Sequence, residues 1–264
     1  MKLPKVSIVD YLNALPLSWG FLRGPQRELF EIDLSPPSRC ADLLAQGVVD
    51  SGLIPVIEYQ TIPSLRVVPG LGVSARSRVR SVLLVSKVPV PQIQALAADN
   101  SSRTSVCLVQ LLLRVRYNRS PIVRSCPPDL KRMLDGHDAA LIIGDVALKA
   151  KTVGLYVYDL ASEWQQLTGK PFVFAFWAVR AGSCLTDPTP FHSSFQFGMD
   201  SLSLIVEEQS QKLGLSAAEI RTYLTENIQY RLERDNLEGL KLFYQLAREW
   251  GLTDQERPLE FLSE

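Results

Sequence analysis

The sequence is poor in the residues that most often betray chemistry. It has two histidines and four cysteines in 264 residues. With no short Cys-x-x-Cys spacing and no histidine set beside a cysteine, it carries no recognisable zinc pattern. Cys40, Cys107, Cys126 and Cys184 are scattered along the chain, which fits reduced thiols better than a disulfide framework. Net charge is absent too: 28 Lys+Arg face 28 Asp+Glu, which excludes a uniformly basic nucleic-acid surface or an acidic tail. The longest wholly apolar run, Pro171 to Val179, falls far below the roughly 18 residues of a spanning helix. The N-terminal stretch is interrupted by Pro4 and Asp10 and offers no small-residue cleavage site, so the expected location is the cytoplasm.

What is present is ample material for a core. With 46% hydrophobic and 21% charged residues, the chain suits one large domain or two modest ones. Its neutrality is a cancellation. Residues 76 to 132 hold eleven basic side chains against Asp99 and Asp129, a net +9, whereas residues 199 to 264 sum to −6. A field of that sign over the middle segment predicts that an anionic ligand associates more slowly as salt is raised.

Strand and helix patterns alternate from the start. Lys5 to Tyr11 alternates apolar and polar residues as a strand, and Asn13-Ala14-Leu15-Pro16 reads as a helix start with Asn as cap and Pro in the first turn. Short strands are expected at Ile32–Leu34 and Val49–Ile54, with a helix from Ser38 to Gln46 between them. A second set follows: strands at Ser81–Ser86, Ile122–Arg124, Ala139–Ile143, Leu155–Tyr158 and Phe172–Val179, with helices at Ile93–Ala97, Val106–Tyr117, Pro128–Leu134 and Ser162–Leu167. Beyond Pro190 the strand signals stop, and Phe195–Lys212, Ala217–Leu232 and Asn236–Trp250 read as helices. Ser216 with Glu219 three positions on is a capping-box signal. The fold class is therefore α/β.

Four blocks occur in order: Asp10–Leu17 (DYLNALPL), Asp99–Val106 (DNSSRTSV), Ala140–Leu148 (ALIIGDVAL) and Trp164–Trp177 (WQQLTGKPFVFAFW). Together they resemble the chorismate dehydratase family of menaquinone biosynthesis by the futalosine route. The resemblance implies a two-lobed fold like the type II periplasmic-binding proteins, with two hinge crossovers and the ligand in the cleft. Lobe 1 would be residues 1–83 plus 179–264, with the C-terminal helices packed on it, and lobe 2 residues 84–178. The hinges would fall near Leu84–Lys87 and Ala175–Arg180. It also implies the reaction, loss of water from chorismate to give 3-[(1-carboxyvinyl)oxy]benzoate. No cofactor and no metal are expected, and the partner is the small-molecule substrate, with neither nucleic acid nor membrane; the sequence does not reveal an oligomeric state.

The candidate site residues come from helix starts and strand ends, where free N–H groups favour anions and open α/β sheets bind ligands. Asn13 and Ser86 are assigned catalytic roles, hydrogen-bonding the reacting substrate through amide and hydroxyl. Tyr11, Ala14, Ser51, Gly52, Arg103, Thr104, Ser105, Gly144 and Asp145 are assigned to substrate binding. The matched blocks hold no histidine, so Asp10 and Asp145 are the carboxylates considered as bases, and a carboxylate of the substrate is the other acceptor for the proton. Plainer roles stand beside these: Asn13, Thr104 and Ser105 as helix caps, Arg103 in a loop salt bridge, Asp145 as cap of the next helix. Two other functions share the fold. One is the sister enzyme that forms 1,4-dihydroxy-6-naphthoate, whose family pattern places a histidine where Gly144 stands; the other is a non-catalytic cytoplasmic small-carboxylate-binding protein.

Overall fold

The computed structural model describes residues 3–263. Two mixed sheets carry the fold. In the first half of the chain β1 (Lys5–Val9), α1 (Leu15–Arg23), β2 (Glu31–Ser35), α2 (Pro37–Ala45) and β3 (Ser51–Pro55) form a parallel βαβ succession. A one-turn α3 (Glu58–Thr61) leads into the long β4 (Leu65–Ala75). The chain then crosses to the second sheet. There it forms β5 (Val82–Ser86), β6 (Ala95–Asp99), α4 (Arg103–Tyr117), β7 (Ile122–Cys126), α5 (Leu130–Gly136), β8 (Ala139–Ile143), α6 (Gly144–Leu148), β9 (Tyr156–Asp159) and α7 (Leu160–Thr168). It returns through β10 (Phe172–Arg180) and ends in α8 (Thr189–Asp200), α9 (Leu202–Leu213), α10 (Ala217–Thr222), β11 (Gln229–Arg231) and α11 (Arg234–Glu249).

The first sheet has the order β11-β4-β10-β3-β1-β2 and the second β7-β6-β8-β5-β9. Sheet membership puts all of β10 in the first sheet and all of β5 in the second. The segments expected as hinges, Leu84–Lys87 and Ala175–Arg180, therefore lie in or against ladders, and the crossings are made by residues 76–81 and 160–171.

Period-two alternation decides which apolar residue meets which core. In the second sheet Leu84, Leu96 and Leu141 join the main cluster, which continues through α4 and α7 into the first sheet. Their neighbours Val85, Ala97, Ala140 and Ile142 point the other way, into a smaller cluster with Met133 and Leu134 of α5. On the first sheet Phe21, Phe30, Trp177 and Phe191 pack edge to face, with ring centroids between 5.0 and 5.7 Å apart. Gly20 and Gly198 let α1 and α8 touch, since a Cβ at either would run into the backbone of the other helix. The C-terminal helices are thus fastened to the first sheet.

Three departures from the sequence reading have clear causes. Residues 93–97, expected as a short helix, enter β6, because an alanine-rich run takes the conformation its neighbours β7 and β8 impose. The segment Leu65–Ala75, to which no element was assigned from sequence, is a strand; its Pro69, Gly70 and Gly72 fall at a register shift, where Val67 and Gly72 pair with nearly adjacent residues of β10. Strands do not stop at Pro190: the expected helix Ala217–Leu232 ends in a π-helical turn, Tyr223–Asn227, and gives way to β11. The capping box at Ser216 and Glu219 is formed.

Candidate active site

The cleft lies where the carboxyl ends of β1, β3, β6 and β8 face one another across the two sheets. It holds a cavity lined by residues of both sheets. Tyr11 and Asn13 come from the 3-10 turn after β1, Leu53 and Pro55 from the end of β3, Ser81 and Val82 from the crossing into β5. Ser102, Thr104 and Ser105 open α4, Ile143 and Gly144 close β8, and Phe174 and Ala175 of β10 form an apolar wall. Among the described residues no Asp, Glu, His, Lys or Arg lines this cavity.

The polar groups inside are neutral, and Tyr11, Thr104 and Ser81 are held by partners behind the cavity. Asn13 is not the cap expected of it: Tyr11 precedes the 3-10 turn, Ala14 precedes α1, and neither start uses a side-chain cap. No side chain caps the first turn of α4 either, so its leading N–H groups are available to an anion, favoured by the helix dipole. Ser81 accepts a 2.7 Å hydrogen bond from the Tyr223 hydroxyl, and its own carbonyl accepts from Gly144 N at 2.8 Å. Gly144 sits at φ +60°, and a Cβ there would meet the Tyr11 ring at 2.9 Å. The ring is held at its far end, where the hydroxyl lies 2.9 Å from Ser101 Oγ, which in turn donates to Asp99 Oδ1 at 2.7 Å. Burial pushes the Tyr11 phenol up to about 12, so it is protonated throughout the neutral range.

Several polar contacts cross the cleft and hold it closed. Leu12 N donates to Asp145 Oδ1 at 3.0 Å, Ile57 N to Thr104 Oγ1 at 3.2 Å, and Ser38 N to the Ser101 carbonyl at 3.1 Å. Arg103 reaches over from α4 to Asp42 at 2.7 Å and Glu58 at 2.9 Å. Burial raises the carboxyl pKa values of Asp145 and Glu58 above the ordinary range, and the Leu12 N–H and the Arg103 guanidinium respectively oppose that rise.

Of the residues singled out from sequence, Tyr11, Asn13, Thr104, Ser105 and Gly144 are brought together around the cavity. Ser86 is not. Because β5 runs antiparallel to β8, Val82 pairs with Ile143 at the cleft and Ser86 with Ala139 at the far end. There the Ser86 hydroxyl donates to the carbonyls of Val88 and Asp138. Ser51 and Gly52 stand at the amino end of β3 rather than its carboxyl end, with Ser51 Oγ bonded to the Ala178 carbonyl; Pro55 is the residue at the cleft. Ala14 is fully buried behind the turn. Arg103 is engaged by two carboxylates, and Asp145 bridges to Leu12 behind the cavity wall. The other candidate carboxylate, Asp10, is exposed and lies 3.9 Å from Lys212. Sequence reasoning missed Ser81, at the other end of its strand from Ser86, and Tyr223, for which no local signal exists.

Comparison with known proteins follows the same lines. A family model described as menaquinone biosynthesis matches residues 4–249. A protein of Thermus thermophilus named chorismate dehydratase is 31% identical over 257 residues, covering 88% of this chain and 91% of that one. A Campylobacter jejuni protein of the same name is 26% identical over 259 residues, covering 92% and 97%. Among solved structures, a protein from Archaeoglobus fulgidus superposes with a TM-score of 0.78 at 16% identity, covering 94% of this chain and 97% of that one. The periplasmic aliphatic sulphonate binding protein SsuA of Escherichia coli gives 0.64 at 17%, covering 97% and 95%. These likenesses establish the periplasmic-binding-protein fold.

Proposed function

This chain belongs to the menaquinone biosynthesis family, and we propose that it is a chorismate dehydratase, a hydro-lyase that takes water from chorismate to leave 3-[(1-carboxyvinyl)oxy]benzoate. One observation carries the reading at the level of the site: a cavity between the two sheets whose lining side chains are all uncharged, with the uncapped start of α4 on one wall and Asn13 and Ser81 on another. A dianionic substrate is held there by helix N–H groups without a buried lysine. In this reading a carboxylate docks at Thr104 and Ser105, Tyr11 and the apolar wall of β10 flank the ring, and Asn13 and Ser81 hydrogen-bond the reacting end. Aromatisation drives the elimination, so that positioning and a modest proton transfer suffice, with a carboxylate of the substrate as base.

Gly144 separates this reading from the sister enzyme that makes 1,4-dihydroxy-6-naphthoate. Its positive φ and the Tyr11 ring against it leave no room for an imidazole at that point. The lobes in this reading divide near residues 80 and 171, and closure around the substrate excludes water. No described helix is long and apolar enough to cross a membrane, and the reading places the chain in the cytoplasm. The test is direct: purified protein is incubated with chorismate and the benzoate product is followed by chromatography. Product formation that Asn13→Ala and Ser81→Ala each slow is expected; tight chorismate binding without product would instead make this a binding protein.

A further inference from the structure

The π-helical turn Tyr223–Asn227 closes the helical segment that begins with α10, just before the chain enters β11. Here the turn grips the segment that crosses between the sheets. Asn227 Nδ2 donates to the Arg78 carbonyl at 3.1 Å, and three residues further along the Tyr223 hydroxyl donates to Ser81 Oγ at 2.7 Å. Tyr223 is 1% exposed and Ser81 fully buried, so no bulk water replaces this bond. Desolvation raises the Tyr223 phenol far above its ordinary value, with the Asn13 side chain and Ser81 opposing the rise; the phenol is a permanent donor.

A serine hydroxyl has one proton. Since Ser81 Oγ accepts the Tyr223 hydrogen bond and its own O–H has no acceptor among the described residues, that O–H is free to donate into the cavity that Ser81 and Asn13 line. Resting on the dehydratase reading, we propose that Tyr223 is a positioning residue for the elimination: it fixes Ser81 as a hydrogen-bond donor to the departing hydroxyl of the substrate. Tyr223 itself touches no substrate. Its contribution is orientation, set before the substrate arrives, so it belongs to the chemical step rather than to binding.

The experiment compares wild type, Tyr223→Phe, Ser81→Ala and the double variant with chorismate, below the thermal midpoint of each protein. Tyr223→Phe keeps the ring in the core and removes one hydroxyl. It is expected to lower kcat about tenfold with KM within about twofold, the effect of one oriented hydrogen bond, and the double variant is expected to be no slower than Ser81→Ala. A fall in kcat that adds to that of Ser81→Ala would overturn the role, because Tyr223 would then act independently of Ser81. So would an unchanged kcat, or a loss shared between kcat and KM that tracks the thermal midpoint. A wild-type chain that forms no benzoate overturns the functional reading and this role together, whereas an active wild type with unimpaired Tyr223→Phe overturns this role alone.

Discussion

Arg103 provides the sharpest test of how the cleft works. From sequence it is a candidate ligand for substrate; in the structure its guanidinium is shared between Asp42 and Glu58 on the facing lobe. Arg103→Ala removes two charge-assisted bonds across the cleft. The Arg103 side chain is 38% exposed, which discounts the pair with Asp42 for solvent screening. Glu58, at 11%, is the more sheltered partner and is left as a partly buried carboxylate without its cation. Together the lost contacts amount to about 2 kcal/mol against the closed form, and a shift of that size weakens the apparent affinity of a ligand that needs closure by roughly thirtyfold. The assay is steady-state turnover of chorismate by wild type, Arg103→Ala and the double variant Asp42→Asn/Glu58→Gln. Both variants are expected to raise KM by about tenfold to thirtyfold. If Arg103→Ala lowers kcat while Asp42→Asn/Glu58→Gln leaves both constants intact, Arg103 contacts the substrate and the clamp is refuted.

Other outcomes follow from the same geometry. Gly144→Ala puts a methyl group against the Tyr11 ring at positive φ; it should cost about 2 kcal/mol of stability and cut kcat/KM at least tenfold, and a thermal midpoint equal to wild type would contradict the packing. Ser86→Ala removes a hydroxyl remote from the cavity and should leave kcat/KM within about twofold while lowering stability by about 1 kcal/mol, the reverse of Ser81→Ala. Burial raises the Asp145 pKa in the folded chain, so its charge opposes folding above that raised value, and the penalty is relieved as pH falls through it toward the ordinary carboxylate range. Asp145→Asn escapes that penalty at every pH. Its thermal midpoint relative to wild type should be higher at pH 7 than at pH 4.5; a difference independent of pH would show that the Asp145 charge is not penalised by burial.

The alternation of strands and helices, the capping box at Ser216 and the blocks that furnish Tyr11, Asn13, Thr104, Ser105 and Gly144 were determined by the sequence by itself, because periodicity, caps and turn residues act over a few positions of chain. Which end of a strand faces the cleft was decided only in the tertiary structure. A two-residue alternation reads the same in either direction, so SVLLVS offers Ser81 and Ser86 equally until antiparallel pairing with β8 selects Ser81. In the same way Pro55 rather than Ser51 ends β3 at the cavity. The destination of Arg103 and the hydroxyl of Tyr223 behind Ser81 depend on residues 45 and 142 positions away, and no local pattern encodes a partner so distant. The charge balance divides likewise: the +9 over residues 76–132 is written in the sequence, but its field is reduced where Arg76, Arg103 and Arg116 meet Asp235, Asp42, Glu58 and Glu163 across the fold.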